Sequence, residues 1–159
     1  MSIKSQGTTV YFVDPTSQSS ASVITLKCPT GVSGMGGAKD QIDDTCLSEL
    51  VDKTFVAGLG NPGQVSIPFI LDPSNASHQD LFDLKEDGTT LHWAVGLSDG
   101  TATPTLDSND DFIFGASRSF IGFEGYIADV NIDIAGNDVV RGTLTVQRSG
   151  KVTLSAKSA

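Results

Sequence analysis

The sequence predicts a mainly β fold, a β-sandwich or barrel with one flanking α-helix at about residues 76–86. Three observations point there. Apolar residues make up 38% and charged residues 18% of the chain, while 17 glycines accompany many Ser, Thr and Asp, a balance that suits short strands and turns better than a helical bundle. Apolar side chains recur at every second position in β-branched and aromatic runs, as in Leu91, Trp93, Val95 and Leu97. One segment alone is a convincing helix, with turn and cap residues around it. At 159 residues the chain fits a single domain, 1–159, that needs neither disulfides nor metal to bury a core.

From the N-terminus, Thr8 to Val13 is β-branched and aromatic and is closed by Asp14-Pro15, and Ser22 to Lys27 follows a Ser-rich turn, so the two form a first hairpin. Between Cys28 and Gly63 the alternation dissolves into Gly31, Gly34, Gly36 and Gly37, a charged stretch from Lys39 to Asp44, and widely spaced apolar residues. This segment is expected to be a long loop with little regular structure. Ordering it costs entropy that something must offset, so it is expected to be functional, and its apolar residues argue against simple disorder.

Gln64 to Ile70 alternates as a strand in which Pro68 gives up a ladder hydrogen bond, which favours an edge or a bulge. Asp72-Pro73-Ser74-Asn75 supplies turn and cap chemistry, Ser77 with Asp80 resembles a capping box, and Asp87-Gly88 ends the helix. Its apolar stripe is Leu81 and Leu84 with Ala76 or Phe82. The strand from Leu91 to Leu97 leads into the turn Ser98-Asp99-Gly100-Thr101. From Ser119 to Ile134 the apolar phase changes, from Ile121, Phe123 and Ile127 to Val130, Ile132 and Ile134, as a bulge would produce. Ala135 to Asp138 turns the chain, Arg141 to Arg148 returns it, and Val152 to Leu154 follows.

Charge excludes some partners. Ten basic against 19 acidic residues give a formal charge of -9, and the basic residues are scattered, so neither a sequence-reading nucleic-acid binder nor an anionic-membrane binder is expected. No apolar run approaches the roughly 20 residues that span a bilayer, so a soluble chain made in a cytoplasm is expected. Cys28 and Cys46 are expected as free thiols. Gly58 to Gly63 spells G-x-G-x-x-G but leads into a strand instead of a helix, so it reads as a turn. Asp129, Asn131 and Asp133 match the first calcium-loop positions, yet Ile134 stands where glycine is needed, so they read as the wet face of a strand. Asp107 to Asp111 reads as a solvated acidic turn. His78 and His92 lack metal-ligand spacing, and no G-x-S-x-G elbow exists to expose a nucleophile. No catalytic residue, cofactor or metal is expected, chelators are expected to have no effect, and nothing requires an enzyme.

Ile42-Asp43-Asp44-Thr45 through Thr54 to Leu59, Gly63 to Ile67, Asp72-Pro73, Gln79-Asp80-Leu81, Asp87-Gly88, Ser98 to Thr101, Gly125-Tyr126-Ile127 and the hairpin from Asp129 to Gln147 follow one another in a telling order. That order, from about Thr8 to Val152, resembles the major tail tube proteins of long-tailed, non-contractile, siphovirus-like bacteriophages. The resemblance implies a structural virion protein whose subunits join sheets into hexameric rings. The rings would stack as the tail tube that conducts genomic DNA from capsid to host.

It further implies that residues 28–63 form an inter-ring loop, with Met35, Ile42, Leu47, Leu50, Phe55 and Val56 in its contacts. Glu124, Asp129, Asn131 and Asp133 become candidates for the lumen wall, with outer solvent as the alternative. An acidic wall lets a duplex slide where a basic one would hold it by counterion release. Implied partners are the chain itself, a tape measure protein, a tail terminator and tail-tip proteins, with assembly in the host cytoplasm. Tubes of contractile tails and of type VI secretion share related folds and remain the alternative. A β-sandwich that binds carbohydrate or a cell surface would need exposed loop aromatics, whereas Trp93 and Tyr126 fall on strands.

Overall fold

The alternating runs become strands and the capped segment a helix in the computed structural model, which describes residues 2–14 and 21–158. In chain order the elements are β1 (Thr9–Val13), β2 (Ile24–Thr25), β3 (Lys39–Asp43), β4 (Phe55–Gly60), β5 (Gln64–Ile70), α1 (Ala76–Asp87), β6 (Thr90–Gly96), β7 (Thr105–Leu106), β8 (Phe112–Ile113), β9 (Phe120–Asp133) and β10 (Arg141–Ser155). β1 and β2 do pair as a first hairpin, although the Ser-rich turn between them falls largely outside the described residues. Among the described residues no helix is long and apolar enough to cross a membrane.

Six strands form one antiparallel sheet in the order β2-β1-β6-β9-β10-β5. Of the expected sandwich or barrel, the structure takes a form nearer the barrel, one main sheet that curls as a half-barrel beside a single helix. The chain after β2 explains the curl: Leu26 donates to the Val10 carbonyl on one edge, while Thr30 and Ser33 donate to the Pro68 and Ser66 carbonyls on the other. One short segment therefore bonds toward both edges and ties them across the curl. Pro68 sits on edge strand β5, opposite Thr143, where its missing N–H costs least.

The concave face carries the main core, with Val10, Phe12, Val65, Ile67, Phe69, Leu91, Trp93, Ile127, Leu144 and Val146 packed under Leu81 and Leu84 of α1. Trp93 is fully buried, lies 5.1 Å from Phe12 and donates its indole N–H to the Gly125 carbonyl at 3.1 Å. Asn75, not Ser77, caps α1: its side chain accepts from the Ser77 N–H, and left-handed Gly88 (φ 66°) returns its own N–H to Leu84. Ala76 and Phe82 are exposed, so the third inward position beside Leu81 and Leu84 belongs to His78. His78 is a satisfied core residue. Its Nδ1 accepts from the Asp72 N–H at 2.9 Å, so Nε2 carries the proton toward the Lys27 carbonyl at 2.8 Å.

A second, smaller cluster on the other face holds Tyr11, Ala94 and Phe120, covered by Phe112 and Phe114. Both faces of β1 and β6 are therefore buried here, which is why Val10-Tyr11-Phe12-Val13 is continuously apolar. Arg118 seals this side. It is 2% exposed, and it donates to the carbonyls of Leu97 (2.6 Å), Gly96 (2.8 Å), Ala102 (3.0 Å) and Gly7 (3.1 Å) and to the Tyr11 hydroxyl (3.0 Å). Gly96 makes room for it, since a Cβ there would lie 2.7 Å from the guanidinium carbon.

The expected phase change in β9 is a bulge. Asp129 pairs with Thr145 and Ile127 with Val146, leaving Ala128 as the extra residue. Ile134, expected on the buried face, is instead 81% exposed because β9 ends at Asp133. Arg141 to Arg148 and Val152 to Leu154 prove to be parts of one strand, β10, whose register slips between Ser149 and Thr153.

Candidate assembly surfaces

Residues 28–63 hold more regular structure than their irregular pattern suggests. β3 and β4 form an antiparallel hairpin in which Ile42 faces Val56 and Asp43 faces Phe55, and Pro29 and Ser33 bridge to β5. The long loop with little regular structure is thus corrected to a projecting β arm. The reason is that pairing here comes from backbone register, whereas Lys39 to Asp43 is exposed throughout and offers no buried period to read.

A polar latch closes the arm's tip. The Thr45 N–H donates to Asp43 Oδ1, the Thr54 N–H to Thr45 Oγ1, and the Thr54 hydroxyl to the Asp44 carbonyl, each at 2.9 Å. Thr45 holds the Asp43 carboxyl below its usual range, first through its side chain and then through its N–H. The latch turns the ends of the tip loop back, so that the residues between them stand out from the body.

Both faces of the arm are exposed. Ile42, Phe55 and Val56 are at least half exposed, Leu47 is fully so, and Leu50 is 92% exposed. Val51 and Leu59, further apolar residues of the segment, are exposed with them. Met35 differs from the rest: it is half-buried and packs against the main core at the arm's base. There Arg148, 6% exposed on β10, donates to the Met35 carbonyl at 2.8 Å and the Gly36 carbonyl at 2.7 Å. No local pattern in the sequence joins residues 35 and 148, so Arg148 carries no visible role there.

Glu124, Asp129, Asn131 and Asp133 are all exposed along β9, and the Asn131 amide reaches Asp133 at 3.4 Å. Asp129 is also tied to the helix, with Lys85 Nζ at 3.6 Å. Glu124 lies apart from the row, opposite His92 in the β6–β9 register. His92 Nε2 is 3.7 Å from Glu124 Oε1, and His92 Nδ1 is 3.0 Å from Asp111 Oδ1 at the end of the β7–β8 loop. Side chains of residues 92, 111 and 124, remote in sequence and without metal-ligand spacing there, come together through strand pairing and a loop. Cys28 and Cys46 are exposed free thiols.

A profile of the phage tail tube, lambda-like, matches residues 1–158. The chain belongs to the lambda-like phage tail tube family. It is a structural protein of the tail tube in the virion. This tail tube protein is 40% identical over 160 residues to "Structural protein 3" of Pseudomonas phage PAJU2, covering 98% of this chain and 95% of that one. Its fold resembles the SPP1 tail tube at a TM-score of 0.65, with 11% identity over 99% of this chain and 81% of the other. It also resembles a chain of the PVC sheath-tube complex, an extracellular contractile injection system in its extended state. There the TM-score is 0.66, with 13% identity over 98% of this tail tube chain and 92% of the other.

Proposed function

We propose that copies of this chain close into hexameric rings by joining sheets, and that the rings stack through the β3–β4 arm into a non-contractile, siphovirus-like tail tube that conducts DNA from capsid to host. The observation that carries this reading is the arm itself. An isolated two-stranded hairpin is marginal in water, and this one exposes apolar side chains on both faces. Burying Leu47 and Leu50 against a neighbouring ring contributes roughly 1.5–3 kcal/mol for each side chain, repeated around the ring.

In this reading the whole chain, 1–159, acts as one tube domain. Residues 28–63 are the inter-ring segment, with Ile42, Leu47, Leu50, Phe55 and Val56 in its contacts and Met35 anchoring its base. Glu124, Asp129, Asn131 and Asp133 face the lumen, where the duplex passes without specific binding. The partners are other copies of the chain, a tape measure protein, a tail terminator and tail-tip proteins, and assembly takes place in the host cytoplasm. The role is structural, without catalysis. The lambda-like family match favours this over a contractile tail or a type VI secretion-like tube. A surface-binding module is disfavoured by the burial of Trp93.

Negative-stain microscopy of the purified protein tests the reading, with the double variant Leu47→Asp/Leu50→Asp beside it. The wild type is expected to form rings or tubes, and the variant to keep the same circular dichroism yet fail to stack. Tubes of equal length from both would overturn the arm's role, and a wild type that stays monomeric at every concentration would overturn self-assembly.

A further inference from the structure

We propose that His92, Asp111 and Glu124 form a binding site for a divalent transition cation of the zinc type, which staples the β7–β8 excursion to the sheet. The three side chains offer one imidazole nitrogen and two carboxylate oxygens, all within 4.8 Å of one another. That donor set suits Zn²⁺, which takes three protein ligands at about 2.0–2.2 Å and leaves a position for water.

The placement is built into the fold. β6–β9 pairing sets His92 directly opposite Glu124 on one face of the sheet. Asp111 is fixed from the other side, since its N–H donates to Asp107 Oδ1 at 3.0 Å and its carbonyl accepts from the Asp107 N–H at 2.9 Å. The imidazole is the rigid member, with 17% of its side chain exposed, while Asp111 and Glu124 at 55% and 58% are free to turn toward it. A tetrahedral site needs about 3.4 Å between donors; Asp111 approaches Nδ1 and Glu124 approaches Nε2, so closing the site on one ring nitrogen requires the exposed carboxylates to turn toward that nitrogen from within 4.8 Å.

The surroundings favour a cation. The cluster lines a cavity of about 400 Å³ with an apolar wall that includes Trp93, Phe112 and Phe114. Two carboxylates flank the imidazole at the edge of that wall and together offer two negative charges to a cation. Lys151 also lines the cavity as a competing cation, but a single ammonium on a four-carbon stem cannot bond both carboxylates and the ring as a metal does. What the cation would hold is otherwise lightly secured: β7 and β8 are two residues each and dock chiefly through Phe112 and Phe114.

Isothermal titration of the chelator-stripped full chain with Zn²⁺ alone at neutral pH tests the site, with circular dichroism confirming the fold of each variant. The wild type is expected to bind one Zn²⁺ per chain, His92→Gln to lose binding, and Glu124→Gln or Asp111→Asn to weaken it at least tenfold. Amide exchange across residues 105–113 is expected to slow with Zn²⁺ in the wild type only. Where His92→Gln fails to fold, Glu124→Gln decides, because its side chain is exposed. No saturable binding in the wild type overturns the proposal, as does binding that survives these substitutions. So does binding lost in Cys28→Ser/Cys46→Ser with the three ligands intact, because the thiols are then the site.

Discussion

Arg148 on β10 donates to the Met35 carbonyl at 2.8 Å, so the last strand of the sheet holds the base of an arm that begins more than a hundred residues earlier. The same guanidinium holds the Gly36 carbonyl at 2.7 Å, and its Nε is buried without a partner. Two carbonyls and an aliphatic stem thus fix where the arm leaves the body.

Replacing that anchor is expected to free the arm before it unfolds the sheet. Arg148→Met keeps much of the stem but leaves two carbonyls without donors, a loss on the order of 2 kcal/mol. Hydrogen exchange is expected to quicken in residues 35–62 and to change little in β6 and β9. Uniform acceleration across the chain would show that Arg148 serves the core instead of the arm.

Gly96 is expected to tolerate no side chain. A methyl group there meets the Arg118 guanidinium at 2.7 Å and pushes it off the Gly96 and Leu97 carbonyls. Gly96→Ala should cost at least 1–3 kcal/mol, on the order of an overpacked core site. Urea unfolding reads this as a lower midpoint at an unchanged slope, and a midpoint equal to the wild type would refute it.

Acid should open the tip latch and loosen the helix entry. Asp43 is held low by the Thr45 hydroxyl and N–H, and Asp72 is lowered to about 2, first by the Ser74 hydroxyl and then by Lys27. Asp99 is lowered by the Ser119 hydroxyl and N–H. A carboxyl whose folded pKa lies below its unfolded value stabilises the fold above the usual range near 3.9, and that contribution is lost as pH falls through the lowered pKa. Asp80 acts in the opposite sense, raised by burial and then by Asp83, so its ionisation costs stability. Thermal unfolding is expected to weaken below about pH 4, and the Thr45 amide resonance should titrate with Asp43 and stop doing so in Asp43→Ala. A Thr45 amide that is indifferent to pH in the wild type would rule out the latch.

The β9 row is testable by charge without disturbing the helix pair. Asn131→Lys/Asp133→Lys leaves Asp129 free to keep its contact with Lys85. If the row lines the channel, tubes of the variant should hold duplex DNA tightly at low salt and release it as salt rises, as counterion release requires. Unchanged DNA behaviour at every salt concentration would place the row on the outer surface.

Local rules in the sequence determined the strands of the main sheet, its turns and the helix. Leu91, Trp93 and Val95 declare β6 by period two, the shift from Ile127 to Val130 declares the bulge at Ala128, and Gly88 ends α1, because each signal spans only a few residues and answers to backbone geometry. Asn75 displaced Ser77 as cap by one such local competition. The tertiary structure alone decided what meets across distance. β3 and β4 pair through backbone groups that leave no period in Lys39 to Asp43. Arg118 and Arg148 reach carbonyls that carry no residue identity. His92 finds Asp111 and Glu124 only after β6 and β9 have paired and the β7–β8 loop has folded over them.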